Sequence, residues 1–332
     1  MSDNRGRMIQ HTCLARASKK RTSLSIACVG EAMIELSHTG SLDADIKPGF
    51  AGDTLNTAIY LKRLIGNNAA VSFVTALGTD PYSDHMMGMM LSENIATDYI
   101  ERNPDRLPGL YSIVTGESGE RFFYYWRDSS AARLMFQLFN GLTFDCLADF
   151  DIIYLSAITL AILPTDVRYS LLEWLKDYRR DNNKLFVFDS NYRPRLWPDI
   201  KEARNAISAA WSITDIALPS IDDEMSLFGE NSEAEVLQRL RQMGISRGAL
   251  KRGSLGPISL ADEQTRLNFP AADNVIDTTA AGDSFNGAFL AALFSGRNES
   301  EAMLAGHQCA SRVVSMPGAI IPKANMFPAT SE

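Results

Sequence analysis

Short apolar runs alternate with amphipathic stretches along most of the chain. The apolar runs have the length of buried strands and lie at residues 24–29, 71–77, 151–155, 184–189 and 213–218. Between them, apolar residues recur at helical spacing, which predicts helices at residues 56–64, 82–94, 165–181, 201–210, 233–243 and 299–315. Strands that alternate with helices are typical of an α/β fold with a mostly parallel central sheet and helices on both faces.

Two segments interrupt this alternation and predict a small antiparallel β lid. Residues 110–115 and 121–126 flank the sequence Gly-Glu-Ser-Gly at 116–119, which is typical of a hairpin turn. The apolar run at residues 33–36 is likewise followed by a polar, glycine-rich segment that extends to residue 49. We therefore expect one large domain over residues 23–328, with lid strands near 31–49 and 107–128.

The amino-terminal residues 1–22 differ from the rest of the chain. They are polar and basic and have no periodic apolar face, so we expect a disordered tail. They also lack the apolar core of a secretory signal, and no run approaches the roughly 18 apolar residues of a membrane helix. These features predict a cytoplasmic protein with no membrane partner.

Composition narrows the function classes further. The 332 residues are 45% hydrophobic, which is enough for a large core. The net charge of −8 implies no broad basic surface, so a nucleic-acid partner is not expected. The cysteines and histidines are isolated in the sequence and form no zinc-binding pattern.

The segment 275–290 carries the clearest chemistry. The small residues Ala280, Ala281 and Gly282 precede Asp283, and an apolar helical pattern follows. A turn that leads into a helix presents unpaired N–H groups, and these favour an anion. Asp283 beside such a site is a candidate base toward a hydroxyl, which suggests phosphoryl transfer. The alternative is a helix-capping aspartate, worth about 0.5–2 kcal/mol.

A second polar group lies where another loop enters a helix. Gly52 permits a close approach of the backbone, while Asp53 and Asn56 offer donors and acceptors for sugar hydroxyls. A helix cap is again the alternative interpretation, because Asp53 directly precedes an apolar helix face.

These two segments resemble the signatures of the ribokinase-like (PfkB) carbohydrate kinases. The resemblance implies that Asp283 is the catalytic base and that Ala280, Ala281 and Gly282 hold the transferred phosphate. Many relatives have glycine at the position of Ala280, so we expect a negative φ for this alanine. The chain has no Walker P-loop, which argues against a P-loop kinase. It also lacks the Gly-x-Gly-x-x-Gly motif after its first strand, which argues against a dinucleotide-dependent dehydrogenase.

Seven further blocks resemble one branch of that family, the bacterial 2-keto-3-deoxygluconate kinases. They occur in order at residues 30–36, 50–57, 74–80, 106–111, 123–127, 191–197 and 318–322. The resemblance implies that the sugar acid is bound by Gly52, Asp53, Asn56, Tyr111, Tyr125, Arg127, Arg193 and Asp283. It also implies that ATP is bound by Asn191, Arg193, Ser220, Lys251, Arg252, Gly253, Gly256, Ala280 and Gly282. Mg²⁺ would be ordered by Glu224, through water.

The arginines agree with an acidic substrate on physical grounds. A sugar acid carries a carboxylate that neutral sugars lack, and the planar guanidinium suits a carboxylate better than an ammonium does. Arg193 follows a predicted strand of the sheet, at the edge where open α/β sheets bind ligands. The alternative for Arg127 or Arg193 is a surface salt bridge.

The expected function is therefore ATP-dependent phosphorylation of 2-keto-3-deoxygluconate at its 6-hydroxyl. The alternatives are a fructokinase-like or ribokinase-like enzyme of the same family, or a non-catalytic regulator that binds a sugar acid. Alternation along the lid strand places Phe123, Tyr125 and Arg127 on one face, which we assign to the substrate. Phe122, Tyr124 and Trp126 share the other face, which predicts a homo-oligomer formed through the lid.

Overall fold

A computed structural model describes residues 23–39, 48–115, 121–139, 141–181, 183–261 and 267–326. The predicted tail at 1–22 and the predicted hairpin turn at 116–119 lie outside these residues. The strands are β1 (Leu24–Val29), β2 (Met33–Thr39), β3 (Gly49–Ala51), β4 (Ala69–Gly78), β5 (Ile100–Asn103), β6 (Gly109–Thr115), β7 (Arg121–Trp126), β8 (Ile152–Ser156), β9 (Leu185–Asp189), β10 (Ile216–Leu218), β11 (Ala249–Leu250) and β12 (Ile258–Ser259). The α-helices are α1 (Asp53–Ile65), α2 (Pro81–Ser92), α3 (Ala157–Ile162), α4 (Thr165–Tyr178), α5 (Ile200–Ser212), α6 (Ile221–Phe228), α7 (Glu233–Gln242), α8 (Ala281–Phe294) and α9 (Glu299–Val314).

Six parallel strands form the central sheet, in the order β10-β9-β8-β1-β4-β5. The side chains of β1 alternate between the two faces of the central sheet, and both faces are covered by apolar residues. Ala27 and Val29 belong to one buried apolar cluster, whereas Ile26 and Cys28 belong to a second cluster on the opposite face. The predicted α/β fold with a mostly parallel sheet is confirmed.

The five predicted strands of the sheet are all present, with one shortened. β10 begins at Ile216 because the amides of Ile213 and Thr214 donate to carbonyls in the last turn of α5, at Ala210 and Trp211. β5 and α3 are among the elements that were not predicted. The edge strand β5 is short and mixes polar with apolar residues, and α3 is a six-residue helix that continues directly from β8.

The lid is a separate four-stranded sheet in the order β3-β2-β6-β7. Its outer pairs β2–β3 and β6–β7 are antiparallel, as expected, and its central pair β2–β6 is parallel. β2 follows β1 after only three residues, so the lid rises from the edge of the central sheet at which β1 ends. The carboxyl ends of parallel strands share this edge, which is where open α/β sheets bind ligands.

None of the helices in the described ranges is long and apolar enough to cross a membrane. Within the same ranges, no group of three or more histidine, cysteine, aspartate or glutamate side chains is placed to hold a metal ion.

Candidate active site

The turn before α8 has the geometry of an anion site. Ala281 donates its N–H to the carbonyl of Thr278, and Ser284 donates its N–H to the carbonyl of Ala280. Between them, the N–H groups of Gly282 and Asp283 have no hydrogen-bond partner among the described residues. Two free donors at the positive end of a helix dipole can bind an anion.

Ala280 adopts a conformation that differs from the expected one. Its φ is 59° and its ψ is 17°, in the left-handed region, so the expectation of a negative φ is wrong. An L-residue in this region costs roughly 1–2 kcal/mol, because its Cβ approaches the following carbonyl oxygen. The turn therefore needs the conformation that glycine adopts easily, although the residue is alanine.

Replacement of Ala280 by glycine should relieve this strain. We expect Ala280→Gly to raise the free energy of unfolding by about 0.5–1 kcal/mol, after the greater flexibility of glycine in the unfolded chain is subtracted. The neighbouring variant Ala281→Gly is a matched control that should lower stability, because Ala281 is helical. Denaturant unfolding measures both variants. Equal destabilisation by the two would mean that Ala280 is not strained.

Asp283 lies in a pocket of polar and charged groups. The Asn56 amide donates to Asp283 Oδ2 at 2.9 Å, and the Thr57 hydroxyl donates to the backbone carbonyl of Asp283 at 3.3 Å. Burial raises the pKa of the Asp283 carboxyl well above its usual range, and the negative charge of Asp53 adds to the effect. The Asn56 hydrogen bond and the positive charge of Lys251 oppose this shift. A carboxylate with a raised pKa is a stronger base toward a hydroxyl.

The loop before α1 brings Gly52 and Asp53 to the same pocket. A Cβ atom on Gly52 would collide with the backbone carbonyl of Glu31, so this position requires glycine. Asp53 Oδ2 accepts hydrogen bonds from the hydroxyl of Ser156 and, at 2.9 Å, from the amide of Asn191. Asn191 thus contacts the predicted sugar side of the site, whereas the sequence had placed it on the nucleotide side.

A buried ion pair lies next to the anion-binding turn. Lys251 Nζ donates to Asp189 Oδ1 at 2.8 Å and to Asn286 Oδ1 at 3.1 Å, and the Asn286 amide donates to Asp189 Oδ2 at 2.8 Å. A Cβ atom built on Gly282 would lie 3.7 Å from Lys251 Nζ. The ammonium group is therefore placed to stabilise negative charge at the turn.

Several residues of this pocket were not predicted from the sequence. Asp189 and Ser156 end two predicted strands, β9 and β8, so their position at the ligand-binding edge was a usable signal. Asn286 follows Asp283 by three residues, which is nearly one helical turn. Glu31 follows the end of the predicted strand β1 by two residues, so it carried the same kind of signal.

The lid contributes an arginine whose charge already has a partner. Arg127 is buried and donates from Nη2 to Glu31 Oε2, and its Nε atom has no hydrogen-bond partner within the described part of the chain. Tyr111 donates its hydroxyl to Glu35 and stacks on Tyr125 with ring centroids 5.8 Å apart. Gly52 packs against the backbone of Glu31 itself, so this part of the lid adjoins the sugar side of the pocket.

Arg193 lies on the other side of the pocket and is more accessible. Its side chain is 52% exposed and donates from Nη1 to Asp223 Oδ1 at 3.2 Å. Burial raises the pKa of Asp223, and the nearby charge of Arg193 opposes that rise. Asp223 also interacts with the charges of Asp189 and Lys251, which places its carboxylate toward the pocket.

Glu224 points away from the pocket that Asp223 faces. Its side chain is fully buried, and its Oε2 atom accepts a hydrogen bond from Arg239 Nη2 at 2.7 Å. Burial raises the pKa of Glu224 to about 7, against the lowering effect of Arg239. Residues that are adjacent on a helix point about 100° apart, so Glu224 does not share the direction of Asp223. The expected role of Glu224 in ordering Mg²⁺ does not fit this placement.

The expected nucleotide-side loop is held by its own contacts. Arg252 donates from Nη1 to Glu233 at 2.8 Å and from Nε to the Gly256 carbonyl at 2.9 Å, so its guanidinium stabilises the loop. Gly253 and Gly256 have φ values of 56° and 74°, which favour glycine. Ser220 begins α6, and its amide donates to the Ser190 hydroxyl at 2.8 Å.

The fold and this pocket are those of a sugar kinase, and the chain belongs to the pfkB family of carbohydrate kinases, whose model matches residues 23–325. It is 44% identical to the 2-dehydro-3-deoxygluconokinase of Dickeya dadantii (strain 3937) over 307 residues, which cover 91% of this chain and 98% of that protein. It is 41% identical to the enzyme of the same name from Escherichia coli (strain K12) over 310 residues, 92% of this chain and 99% of that protein. The fold is also similar to that of a fructokinase from Vibrio cholerae O395 with fructose, ADP and calcium bound, with a TM-score of 0.75 and 20% identity. That comparison covers 89% of this chain and 94% of the fructokinase chain.

Proposed function

We propose that this chain is a 2-keto-3-deoxygluconate kinase that transfers the γ-phosphate of ATP to the 6-hydroxyl of the sugar acid. The observation that carries the proposal is the 44% identity with a kinase named for this substrate, over 98% of that kinase's length. The site supports it, because the buried Asp283 carboxylate lies beside an anion-binding turn and near Lys251, and we assign Arg127 and Arg193 to the sugar acid. Such an enzyme would act in the cytoplasm, where ATP is present.

The residues around the turn account for the chemistry. Asp283 accepts the proton of the attacking hydroxyl, and its Asn56 hydrogen bond fixes the orientation of the carboxylate. The free N–H groups of Gly282 and Asp283 stabilise the charge of the transferring phosphoryl group. Lys251 adds a fixed positive charge beside them. Because these donors are already in place, little reorganisation is needed when the charge develops.

The two arginines differ in how they would bind the acid group. The charge of Arg127 is largely balanced by the buried carboxylate of Glu31, so its free Nε edge can supply one further hydrogen bond. Arg193 is half-exposed, and its partners among the residues that the structure describes are Asp223 and the carbonyl of Tyr192. We therefore assign the main charge contact with the substrate carboxylate to Arg193.

The divalent ion that accompanies ATP would be Mg²⁺, bound mostly by phosphate oxygens and water. Mg²⁺ retains several waters in kinase sites and needs only one or two carboxylates from the protein. This agrees with the lack of a dense ligand cluster in the described ranges. Asp223 faces the pocket from the first turn of α6 and is the carboxylate that fits this role, in place of Glu224.

Product analysis tests the reaction itself. Incubation with ATP, Mg²⁺ and 2-keto-3-deoxygluconate should give one phosphorylated product, in which NMR shows phosphorus coupled to the C6 carbon. Phosphate on another oxygen would contradict the proposed reaction. An absence of both ATP consumption and phosphorylated sugar would favour the regulator alternative.

We also propose that the lid joins two subunits. Phe122, Tyr124 and Trp126 are 48%, 51% and 62% exposed, although they form one aromatic face of β7. An exposed aromatic face is normally covered by a partner. A second copy of the lid can cover it, because a two-fold symmetric dimer uses the same surface on both subunits.

Introducing charge on that face should separate the subunits. We expect the double variant Phe122→Glu with Tyr124→Lys to be monomeric, because burying unpaired charge opposes association. Its affinity for the sugar acid should fall, while its affinity for ATP should remain within about threefold of wild type. Analytical ultracentrifugation and the two KM values measure these effects. A wild-type protein that sediments as a monomer at micromolar concentration would show that the dimer is wrong.

A further inference from the structure

One face of the lid strand β7 forms a continuous row along the site. Alternation puts Arg121, Phe123, Tyr125 and the following Arg127 on this face. Contacts along it agree, because the rings of Phe123 and Tyr125 are 6.4 Å apart and the Arg127 guanidinium lies 5.9 Å from the Tyr125 ring. The row therefore begins and ends with an arginine, and the two are about 20 Å apart at roughly 3.3 Å per residue.

Each arginine of this row binds a buried carboxylate on the main domain. Arg127 binds Glu31, on the sugar side of the pocket. Arg121 donates from Nη1 to Asp277 Oδ1 and, at 3.0 Å, to the Thr279 hydroxyl. Asp277 and Thr279 belong to the segment that leads directly into the anion-binding turn. The lid is thus attached to the turn at one end and to the sugar side at the other.

Asp277 connects three parts of the chain. Its Oδ1 atom also accepts the Thr279 N–H at 2.8 Å, and its Oδ2 atom accepts the Gly318 N–H at 2.6 Å. Burial works against ionisation of Asp277, but hydrogen bonds from Thr279, Gly318 and Arg121 hold its pKa below the usual range. The side chain of Asp277 is inaccessible, so Arg121 supplies a charge partner that water cannot replace there.

An independent apolar contact joins the same two parts. Ala280, the strained residue of the turn, packs against a small buried cluster that includes Met33, Tyr111 and Ile113 of the lid strands. The conformation of the turn is therefore supported by the lid through both a charged and an apolar contact.

We propose that Arg121 is a positioning residue that couples the lid to the anion-binding turn. With β7 over the pocket, Arg121 fixes Asp277 and Thr279, and these fix the N–H groups of Gly282 and Asp283 that receive the phosphoryl charge. When β7 moves away, Asp277 loses its charge partner and the turn loses its support. The inference rests on the proposed phosphoryl transfer, but it does not depend on which sugar is the acceptor.

Steady-state kinetics of Arg121 variants test this coupling. We expect Arg121→Met to lower kcat by about 10–100-fold with the sugar KM changed less than about threefold, since a displacement of about 1 Å can cost about 10²-fold in rate. Arg121→Lys should recover part of kcat, because lysine restores the positive charge but not the planar pair of guanidinium donors. Guanidinium ions below denaturing concentration should partly rescue Arg121→Ala, whereas sodium chloride at the same concentration should not.

A matched control is Arg179→Met. Arg179 also pairs with one aspartate, Asp215, and is similarly exposed, but it contacts none of the pocket residues. We expect its kcat to stay within about twofold of wild type. The double variant Arg121→Met with Asp277→Asn should be no slower than the worse single variant, because the residues act as one unit.

The outcomes separate the coupling from the proposed function. Wild-type turnover of the sugar acid reports on the function, and the ratio of variant to wild-type kcat, measured with whichever sugar is turned over, reports on Arg121. An unchanged kcat, or a rise in sugar KM alone, would overturn the coupling and leave Arg121 as a structural contact of the lid. Additive effects of Arg121→Met and Asp277→Asn would also overturn it.

Discussion

Asp283→Asn should reduce kcat by about 10²–10⁴-fold while the KM for the sugar acid changes little, the range that general base catalysis contributes. Asparagine keeps the shape of the side chain and can still accept the hydrogen bond that Asn56 donates. It cannot accept the hydroxyl proton. Steady-state kinetics with saturating ATP measure the loss, and circular dichroism checks that the fold is unchanged.

A first-turn aspartate of another helix is the matched control for this variant. Asp166 lies in the first turn of α4, is exposed and has no part in the pocket. We expect Asp166→Asn to keep full activity, since it removes only a favourable charge at a helix terminus. If Asp283→Asn retained a third of the wild-type kcat, Asp283 would be a helix cap and not the base.

The raised pKa of Asp283 also predicts how pH affects activity and stability. The base must be ionised to act, so kcat/KM should fall as the pH falls through the raised pKa. A carboxyl whose pKa is higher in the folded state than in the unfolded state binds more protons when folded, so its contribution to stability decreases as the pH rises through that interval. Asp283→Asn should therefore raise Tm at neutral pH, by roughly 1–3 °C. A lower Tm would mean that the ionised carboxylate stabilises the fold.

Arg193→Lys should lower kcat/KM for the sugar acid by about 10–150-fold, which corresponds to the roughly 1.5–3 kcal/mol of a hydrogen bond to a charged group. Lysine keeps the positive charge but loses the planar pair of donors that matches a carboxylate. Because Arg193 is 52% exposed, the variant should fold normally. The loss should be much smaller for any neutral sugar, since only the acid presents a carboxylate.

Arg195 provides the control, because it is exposed and only two residues away. Arg195→Lys should leave kcat/KM within about twofold of wild type, as expected for a surface substitution. Equal kinetics for Arg193→Lys and wild type would show that Arg193 forms only its surface ion pair with Asp223.

The fold was predictable because its signal is local. Each of the five predicted strands of the central sheet is a short apolar run that is buried on both faces, and each long helix shows its apolar spacing within a few residues. The lid hairpin was predictable for the same reason. β5 was missed because its sequence, Ile-Glu-Arg-Asn, has no apolar pattern and lies at the sheet edge.

The site was only partly predictable, because side-chain direction depends on long-range packing. Asp223 and Glu224 are adjacent acids, and only the burial of one face of α6 decides which of them meets the pocket. The pairing of Arg127 with Glu31 joins residues 96 positions apart, and nothing near either residue indicates it. The motif marked the turn before Asp283, but the turn holds Ala280 at a left-handed φ, which the residue type alone does not indicate.

The most direct test of the account is the ratio of kcat/KM values for 2-keto-3-deoxygluconate and for the neutral sugars fructose and ribose, measured with ATP and Mg²⁺. The account predicts a preference of at least about 100-fold for the sugar acid, since a site built for a charged group rejects analogues that leave it unpaired. Arg193→Lys should reduce this ratio. A kcat/KM for fructose or ribose equal to or above that for the sugar acid would contradict the account.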